Sequence, residues 1–116
     1  MQVSNPSAVL DRQQLRDVTL ADVELMREVL HALLDDTSAQ LVLLDHAIRE
    51  QDPQQTMRLA HYCKGACANL GANALAAVLK RLEQEASRQD FLDCTASLDN
   101  VNLELERLRA EAGELL

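Results

Sequence analysis

The chain has 116 residues, of which 47% are hydrophobic, and its formal net charge at pH 7 is −8. A chain of this length builds one domain around one core, which excludes a catalytic domain joined to a separate regulatory domain. The negative charge repels nucleic acid and anionic membrane surfaces, and one Tyr, one Phe and no Trp leave no platform on which bases could stack. We therefore expect a single domain over residues 1–116 that binds neither nucleic acid nor membranes.

Signals for export and for disulfide bonding are missing from the sequence. No apolar run approaches the roughly 20 residues that span a bilayer, and the N-terminus lacks a basic segment followed by an apolar stretch. Three cysteines, an odd number without a Cys-x-x-Cys pair, favour a reducing compartment over a disulfide framework or a zinc ribbon. We expect a cytoplasmic protein whose segment Met1–Ser7 is loosely ordered.

The composition predicts an all-α domain, because Leu, Ala, Glu, Gln and Arg predominate and only three Gly and two Pro occur. A short helix is expected around Asp11–Asp17. Thr19 and Asp22 then form a capping-box pattern, which predicts a long amphipathic helix over about Leu20–Gln51. Its apolar positions recur every three or four residues: Val23, Met26, Leu30, Leu33, Thr37, Leu41, Leu44 and Ile48.

The third and later helices are marked by capping residues. Asp52 and Pro53 suit the N-cap and the first position of a helix that ends near residue 70, where Gly71 suits a left-handed C-cap. Asn73 is predicted to cap the next helix, about 73–88, and Asp90 the last one. The last helix carries a long apolar stripe: Phe91, Cys94, Leu98, Val101, Leu105, Leu108, Ala112 and Leu115.

Four helices that each carry one apolar stripe and have short connections pack most economically as an antiparallel four-helix bundle. The short helix near the N-terminus would be an addition to this bundle. The fold class expected from the sequence is therefore all-α.

His61 lies on the polar side of the third helix, about 160° from the centre of the apolar stripe. That position alone favours a solvent-facing histidine without a function. Its neighbours on the same face change the interpretation: Met57, Arg58, Lys64, Gly65 and Ala68. An exposed Gly65 costs the helix about 1 kcal/mol relative to Ala, which is explained if another molecule approaches the backbone there. Lys64, three residues after His61, could stabilise a phosphoryl group carried by the imidazole.

The segment from Arg58 to Ala72, Arg-Leu-Ala-His-Tyr-Cys-Lys-Gly-Ala-Cys-Ala-Asn-Leu-Gly-Ala, resembles the signature of histidine-containing phosphotransfer (HPt) domains. The core of that signature is His-x-x-Lys-Gly followed by Ala-Asn-Leu-Gly-Ala. The matching residues are His61, Lys64, Gly65, Ala68, Asn69, Leu70, Gly71 and Ala72. The departures are Tyr62, Cys63, Ala66 and Cys67, where the family more often has Thr, Leu and Ser. The order of helices is similar over nearly the whole chain.

The resemblance implies roles for four residues. His61 would be phosphorylated at Nε2, Lys64 would steady the phosphoryl group, and Gly65 would leave room for the receiver domain of a partner. Glu83 falls where the family has a Gln or Glu that accepts a hydrogen bond from the other imidazole nitrogen. Its place at the border of the fourth helix's apolar stripe would let a carboxylate reach the neighbouring helix and fix the tautomer of His61. A solvated surface acid is the alternative for Glu83.

The remaining candidates belong to a partner-binding surface. Lys80 could extend a basic patch with Arg58 and Lys64, which would complement the acidic phosphorylation pocket of a receiver domain. Ordinary solvated side chains are an equally good interpretation of Lys80 and Arg58. Met57 and Ala68 share the face of His61, whereas His31 and His46 have no motif around them.

The predicted function is that of a free-standing intermediate of a bacterial two-component phosphorelay. His61 would accept a phosphoryl group from the receiver domain of a hybrid sensor kinase and pass it to the receiver aspartate of a response regulator. Such a monomeric carrier is not an enzyme and needs no cofactor or metal of its own, since the receiver supplies the aspartate and Mg²⁺.

Three alternatives stay open. The same face could sequester a receiver without transferring phosphate, or the long helices could dimerise in a structural protein. Cys63 and Cys67 lie one turn apart and could take part in metal or thiol chemistry, although core packing is favoured for them and for Cys94.

Overall fold

The computed structural model describes residues 5–115, and these form five α-helices. The helices are α1 (Arg12–Val18), α2 (Val23–Arg49), α3 (Pro53–Asn69), α4 (Asn73–Ser87) and α5 (Phe91–Leu115). The all-α fold class is confirmed, together with the short helix that precedes the four long ones.

The four long helices form an antiparallel bundle, as predicted. Three residues connect each of them to the next, so consecutive helices run in opposite directions. Helix α2 contacts α3 and α5, and α4 contacts the same two helices, which closes the bundle around one core. The 27 residues of α2 extend about 40 Å at 1.5 Å per residue, and the longest dimension of the molecule is 41 Å.

The core consists mainly of leucine side chains. Those with essentially no exposure are Leu15, Leu30, Leu44, Leu75, Leu79, Leu82 and Leu108. Full burial of one such side chain contributes about 1.5–3 kcal/mol. The prediction was wrong for Val23, which is 60% exposed, because it opens α2 two turns ahead of Leu30, where complete burial begins.

The start of α2 also differs from the prediction, by three residues. Asp22 is the N-cap, and its side chain accepts a hydrogen bond from the backbone of the first turn. Thr19 instead ends α1 and donates from Oγ1 to the carbonyl of Leu15 at 2.7 Å. Leu20 and Ala21 have φ angles of +53° and +59°, and this left-handed turn prevents α2 from beginning earlier.

The other predicted caps gave mixed results. The side chains of Asp52 and Asp90 accept hydrogen bonds from the first turns of α3 and α5, as expected. The prediction for Asn73 was wrong, because the N-cap of α4 is Ala72, which offers no side-chain hydrogen bond. Asn73 donates from Nδ2 to the carbonyl of Asn5 at 2.7 Å. Asn5 belongs to the segment Met1–Ser7, which was expected to be loosely ordered. Residues 1–4 of that segment lie outside the described residues.

The chain before α1 is fastened to the turn between α3 and α4 through Gly71. The Gly71 carbonyl accepts a hydrogen bond from the backbone N–H of Asp11 at 2.8 Å. Gly71 has a φ of +85°, and a Cβ atom at this position would lie 2.8 Å from the Asp11 carbonyl oxygen. Both the backbone angle and the close contact therefore require glycine.

Gly71→Ala is expected to lower the free energy of unfolding by at least about 2 kcal/mol, because a left-handed alanine alone costs roughly 1–2 kcal/mol. Urea denaturation followed by circular dichroism measures the change. Gly113→Ala is the matched control, since nothing lies within 4 Å of a Cβ atom placed at Gly113 in α5. Equal stability of the two variants would contradict this account of the turn.

Candidate functional site

His61 projects from the middle of α3 on the side opposite the core. Ala60 and Cys63 on the inner face are buried, whereas the His61 side chain is 68% exposed. The exposure follows from the 3.6-residue period, because residues on either side of His61 already fill the apolar stripe of the helix. The imidazole is therefore accessible to another protein.

Glu83 on α4 holds both His61 and Lys64. Its Oε2 lies 3.1 Å from Nδ1 of His61, and its Oε1 accepts a hydrogen bond from Nζ of Lys64 at 2.8 Å. Glu83 and Lys64 retain 25% and 27% side-chain exposure. The structure thus brings together the three residues that the sequence analysis selected for the chemistry, with Lys64 and His61 bound to opposite oxygens of one carboxylate.

This geometry determines what the imidazole can do. An ionised carboxylate only accepts hydrogen bonds, so the His61–Glu83 contact places the ring proton on Nδ1. Nε2 is then the nitrogen with a free lone pair, and it can act as a nucleophile. A partly exposed Lys64–Glu83 pair contributes at most about 1 kcal/mol to stability, so its main effect is to orient the carboxylate.

An open groove runs beside His61 between α3 and α4. We call it the α3–α4 groove, and it is lined by Pro6, Lys64, Gly65, Ala68, Asn73, Ala76, Ala77 and Lys80. No atom lies within 4 Å of a Cβ atom placed at Gly65, so packing within the chain does not require glycine there. Lys80 is exposed and adds a second cation to this groove.

Met57 and Arg58, the other candidates on this face, do not line the groove. Met57 is partly buried against the core, and Arg58 is exposed. The structure therefore joins Lys64 and Lys80, but not Arg58, along one concave surface.

A second groove lies on the other side of α3. This α2–α3 groove is lined by Val29, Ala32, Leu33, Asp36, Ala66, Asn69 and Leu70. Beside it, the hydroxyl of Tyr62 donates a hydrogen bond to Oδ2 of Asp36 at 2.6 Å. The sequence analysis missed this contact, because Tyr62 was considered only as a departure from a motif and Asp36 lies on a different helix.

The three cysteines are buried and free. Burial raises the pKa of the Cys63 thiol to about 11, that of Cys67 to about 12 and that of Cys94 to about 11. No three His, Cys, Asp or Glu side chains within residues 5–115 are grouped so that they could hold a metal ion. The geometry supports a packing role for the thiols.

We expect all three thiols to resist iodoacetamide at pH 8 in the folded protein and to react once it is unfolded in urea. The reason is that the thiolate is the nucleophile and a raised pKa keeps these thiols protonated at that pH. Mass spectrometry of the alkylated protein counts the modified cysteines. Rapid modification of Cys63 or Cys67 in the folded protein would revive the thiol-chemistry alternative.

Comparisons with known proteins agree with this fold. A family model, the Hpt domain, matches residues 28–111, and the chain therefore belongs to the Hpt domain family. It is a phosphocarrier of two-component signalling, a class whose members interact with receiver domains. None of the helices in residues 5–115 is long and apolar enough to cross a membrane.

Among solved structures, the chain is similar to histidine-containing phosphotransfer protein B (HptB) from Pseudomonas aeruginosa PAO1. The TM-score is 0.86 and the sequence identity 25%, over 93% of this chain and 94% of that one. No curated protein sequence matches the chain.

Proposed function

We propose that His61 carries the phosphoryl group in a phosphorelay. It accepts this group from the receiver domain of a hybrid sensor kinase and donates it to the receiver aspartate of a response regulator. The observation that carries the proposal is an exposed imidazole whose Nδ1 is held by Glu83, so that Nε2 is free for attack.

In the first step, Nε2 of His61 attacks the phosphorus of the receiver's phosphoaspartate. A P–N bond forms, the P–O bond breaks, and the aspartate leaves as a carboxylate. The imidazole gains positive charge, which the Glu83 carboxylate stabilises through the Nδ1 proton. Lys64 is near enough to turn toward the phosphoryl oxygens, and its charge would favour them. In the second step, an aspartate of the next receiver attacks the phosphorus and the P–N bond breaks.

The receiver would supply the Mg²⁺ that neutralises charge during transfer, so this chain needs no cofactor of its own.

Gly65 and Ala68 would let the receiver approach the α3 backbone, with Met57 and Arg58 on the rim of the contact. Lys80 makes no ion pair within residues 5–115 and adds positive charge to the α3–α4 groove of a molecule with a net charge of −8. Lys64 would add to it on turning from Glu83 toward the phosphoryl group. That local charge complements an acidic phosphorylation pocket.

A reconstituted relay tests the proposal. A radiolabelled phospho-receiver is mixed with a second, unphosphorylated receiver. The mixture is prepared with and without this protein, which we propose acts as a monomeric carrier. We expect label to reach the second receiver only when the protein is present, and His61→Gln to abolish this transfer. His46→Gln is the matched control, because His46 is also exposed but lies on α2. Tight binding of receivers without any transfer of label would instead support a sequestering module.

A further inference from the structure

The hydrogen bond between Tyr62 and Asp36 lies directly beside the proposed phosphorylation site. Tyr62 follows His61 in α3 and is 52% exposed. Its hydroxyl donates to Oδ2 of Asp36 at 2.6 Å and so connects α3 to α2. This hydrogen bond raises the pKa of the Tyr62 phenol. The phenol therefore remains a donor and holds the carboxylate in place.

Asp36 is the one acidic residue that lines the α2–α3 groove. The rest of that lining is aliphatic, apart from Asn69. Asp36 is half-buried, and within residues 5–115 Tyr62 makes the only hydrogen bond to its side chain, with no cationic side chain paired to it. Its other carboxylate oxygen, Oδ1, accepts no hydrogen bond from residues 5–115.

A partner that covers this groove also covers the Oδ1 atom of Asp36, which then needs a new hydrogen-bond donor. Covering it with an apolar or acidic side chain removes water from a charged group without replacing the hydrogen bonds, which is strongly unfavourable. A lysine or arginine at the same place pairs with it and avoids this loss. The groove therefore discriminates between partners by what they place opposite Asp36.

The two flanks of His61 carry opposite charge. Lys64 on the α3–α4 side is paired with Glu83, so the groove-lining charges without an ion pair among the described residues are Lys80 in the α3–α4 groove and Asp36 in the α2–α3 groove. A partner with an acidic phosphorylation pocket is attracted to the first flank, and a cationic side chain at the edge of its contact surface would pair with Asp36 on the second. Two charges of opposite sign on either side of one residue also fix the orientation of docking.

We propose that Asp36, held by Tyr62, is a specificity determinant for receiver domains. It admits receivers that place a lysine or arginine in the α2–α3 groove and rejects those that present an apolar or acidic side chain there. This inference rests on the proposed function of His61. Asp36 and Tyr62 act on docking, while the reacting atoms belong to His61 and the receiver.

The test is a set of transfer kinetics with a panel of radiolabelled phospho-receivers. For the receiver that the wild type prefers, Asp36→Asn is expected to raise KM by roughly threefold to tenfold and to leave kcat within about twofold. Tyr62→Phe should also raise KM, but by a smaller factor, because it removes the hydrogen bond to Asp36 and keeps the charge of Asp36. The selectivity between the preferred receiver and the others falls in both variants. Addition of NaCl should raise this KM more steeply in the wild type than in Asp36→Asn. Salt screens the pair between Asp36 and the cation of the receiver, and the variant does not form this pair.

Asp35→Asn is the matched control, since Asp35 is the preceding residue of α2, carries the same charge and is exposed. Circular dichroism of all variants checks that the helices are intact. If Asp36→Asn and Asp35→Asn give the same KM for every receiver while the wild type transfers label, the inference is wrong and the proposed function stands. A wild-type protein that accepts label from no receiver overturns the proposed function and this inference with it.

Discussion

Replacing Gly65 with phenylalanine is expected to slow phosphoryl acceptance by about a hundredfold, because displacement of reacting groups by as little as 1 Å can cost that much. A side chain at this position meets no atom of its own chain within 4 Å. It would instead occupy the space beside His61 that the receiver must enter. The initial rate of label transfer from a phospho-receiver measures the effect, and thermal unfolding shows that the fold is retained.

Two alanine variants separate the approach of the partner from helix stability. Gly65→Ala and Gly113→Ala both replace an unhindered helical glycine, and each should stabilise the protein by up to about 1 kcal/mol. Only Gly65→Ala should reduce the transfer rate. A Gly65→Phe variant that transfers at the wild-type rate would show that the receiver does not approach this part of α3.

Replacing Glu83 with alanine should have the other large effect on transfer. Hydrogen bonds to charged groups contribute about 1.5–3 kcal/mol, which corresponds to about a ten- to hundredfold change in rate if the contact acts in the transition state. The variant loses the acceptor for Nδ1 of His61 and the partner of Lys64. Single-turnover transfer kinetics measure the loss, with little change expected in the melting temperature because the contacts are partly exposed.

Glu83→Gln is the control for geometry. Its amide oxygen can still accept the Nδ1 hydrogen bond of His61, whereas the negative charge that stabilises the imidazole is absent. We expect its rate to lie between those of the wild type and Glu83→Ala. Wild-type transfer by Glu83→Ala would show that holding the ring does not contribute to the reaction.

Local pattern was enough to predict most of the fold. Three- and four-residue spacing of apolar side chains indicated each long helix, and Asp52, Gly71 and Asp90 marked their ends correctly. The errors arose where tertiary contacts or unusual backbone angles determine the helix boundaries. The left-handed turn at Leu20 and Ala21 contains no glycine that would announce it.

The site was predictable to the extent that it lies on one helix. The exposure of His61 follows from the period of α3, and the resemblance to a family motif selected Lys64 and Glu83. The rotation of one helix against another cannot be read from either helix alone. For this reason the sharing of the Glu83 carboxylate and the contact of Tyr62 with Asp36 became evident only in the structure.

The most direct test of the central claim is to locate the phosphoryl group after the protein has been incubated with a phospho-receiver. Correlation spectra of ¹⁵N-labelled protein identify which histidine, and which of its nitrogens, is modified. We predict phosphorylation of His61 at Nε2, with an acid-labile and base-stable label that is absent from His61→Gln. Phosphate on Nδ1, on another histidine or on a carboxylate would contradict the account.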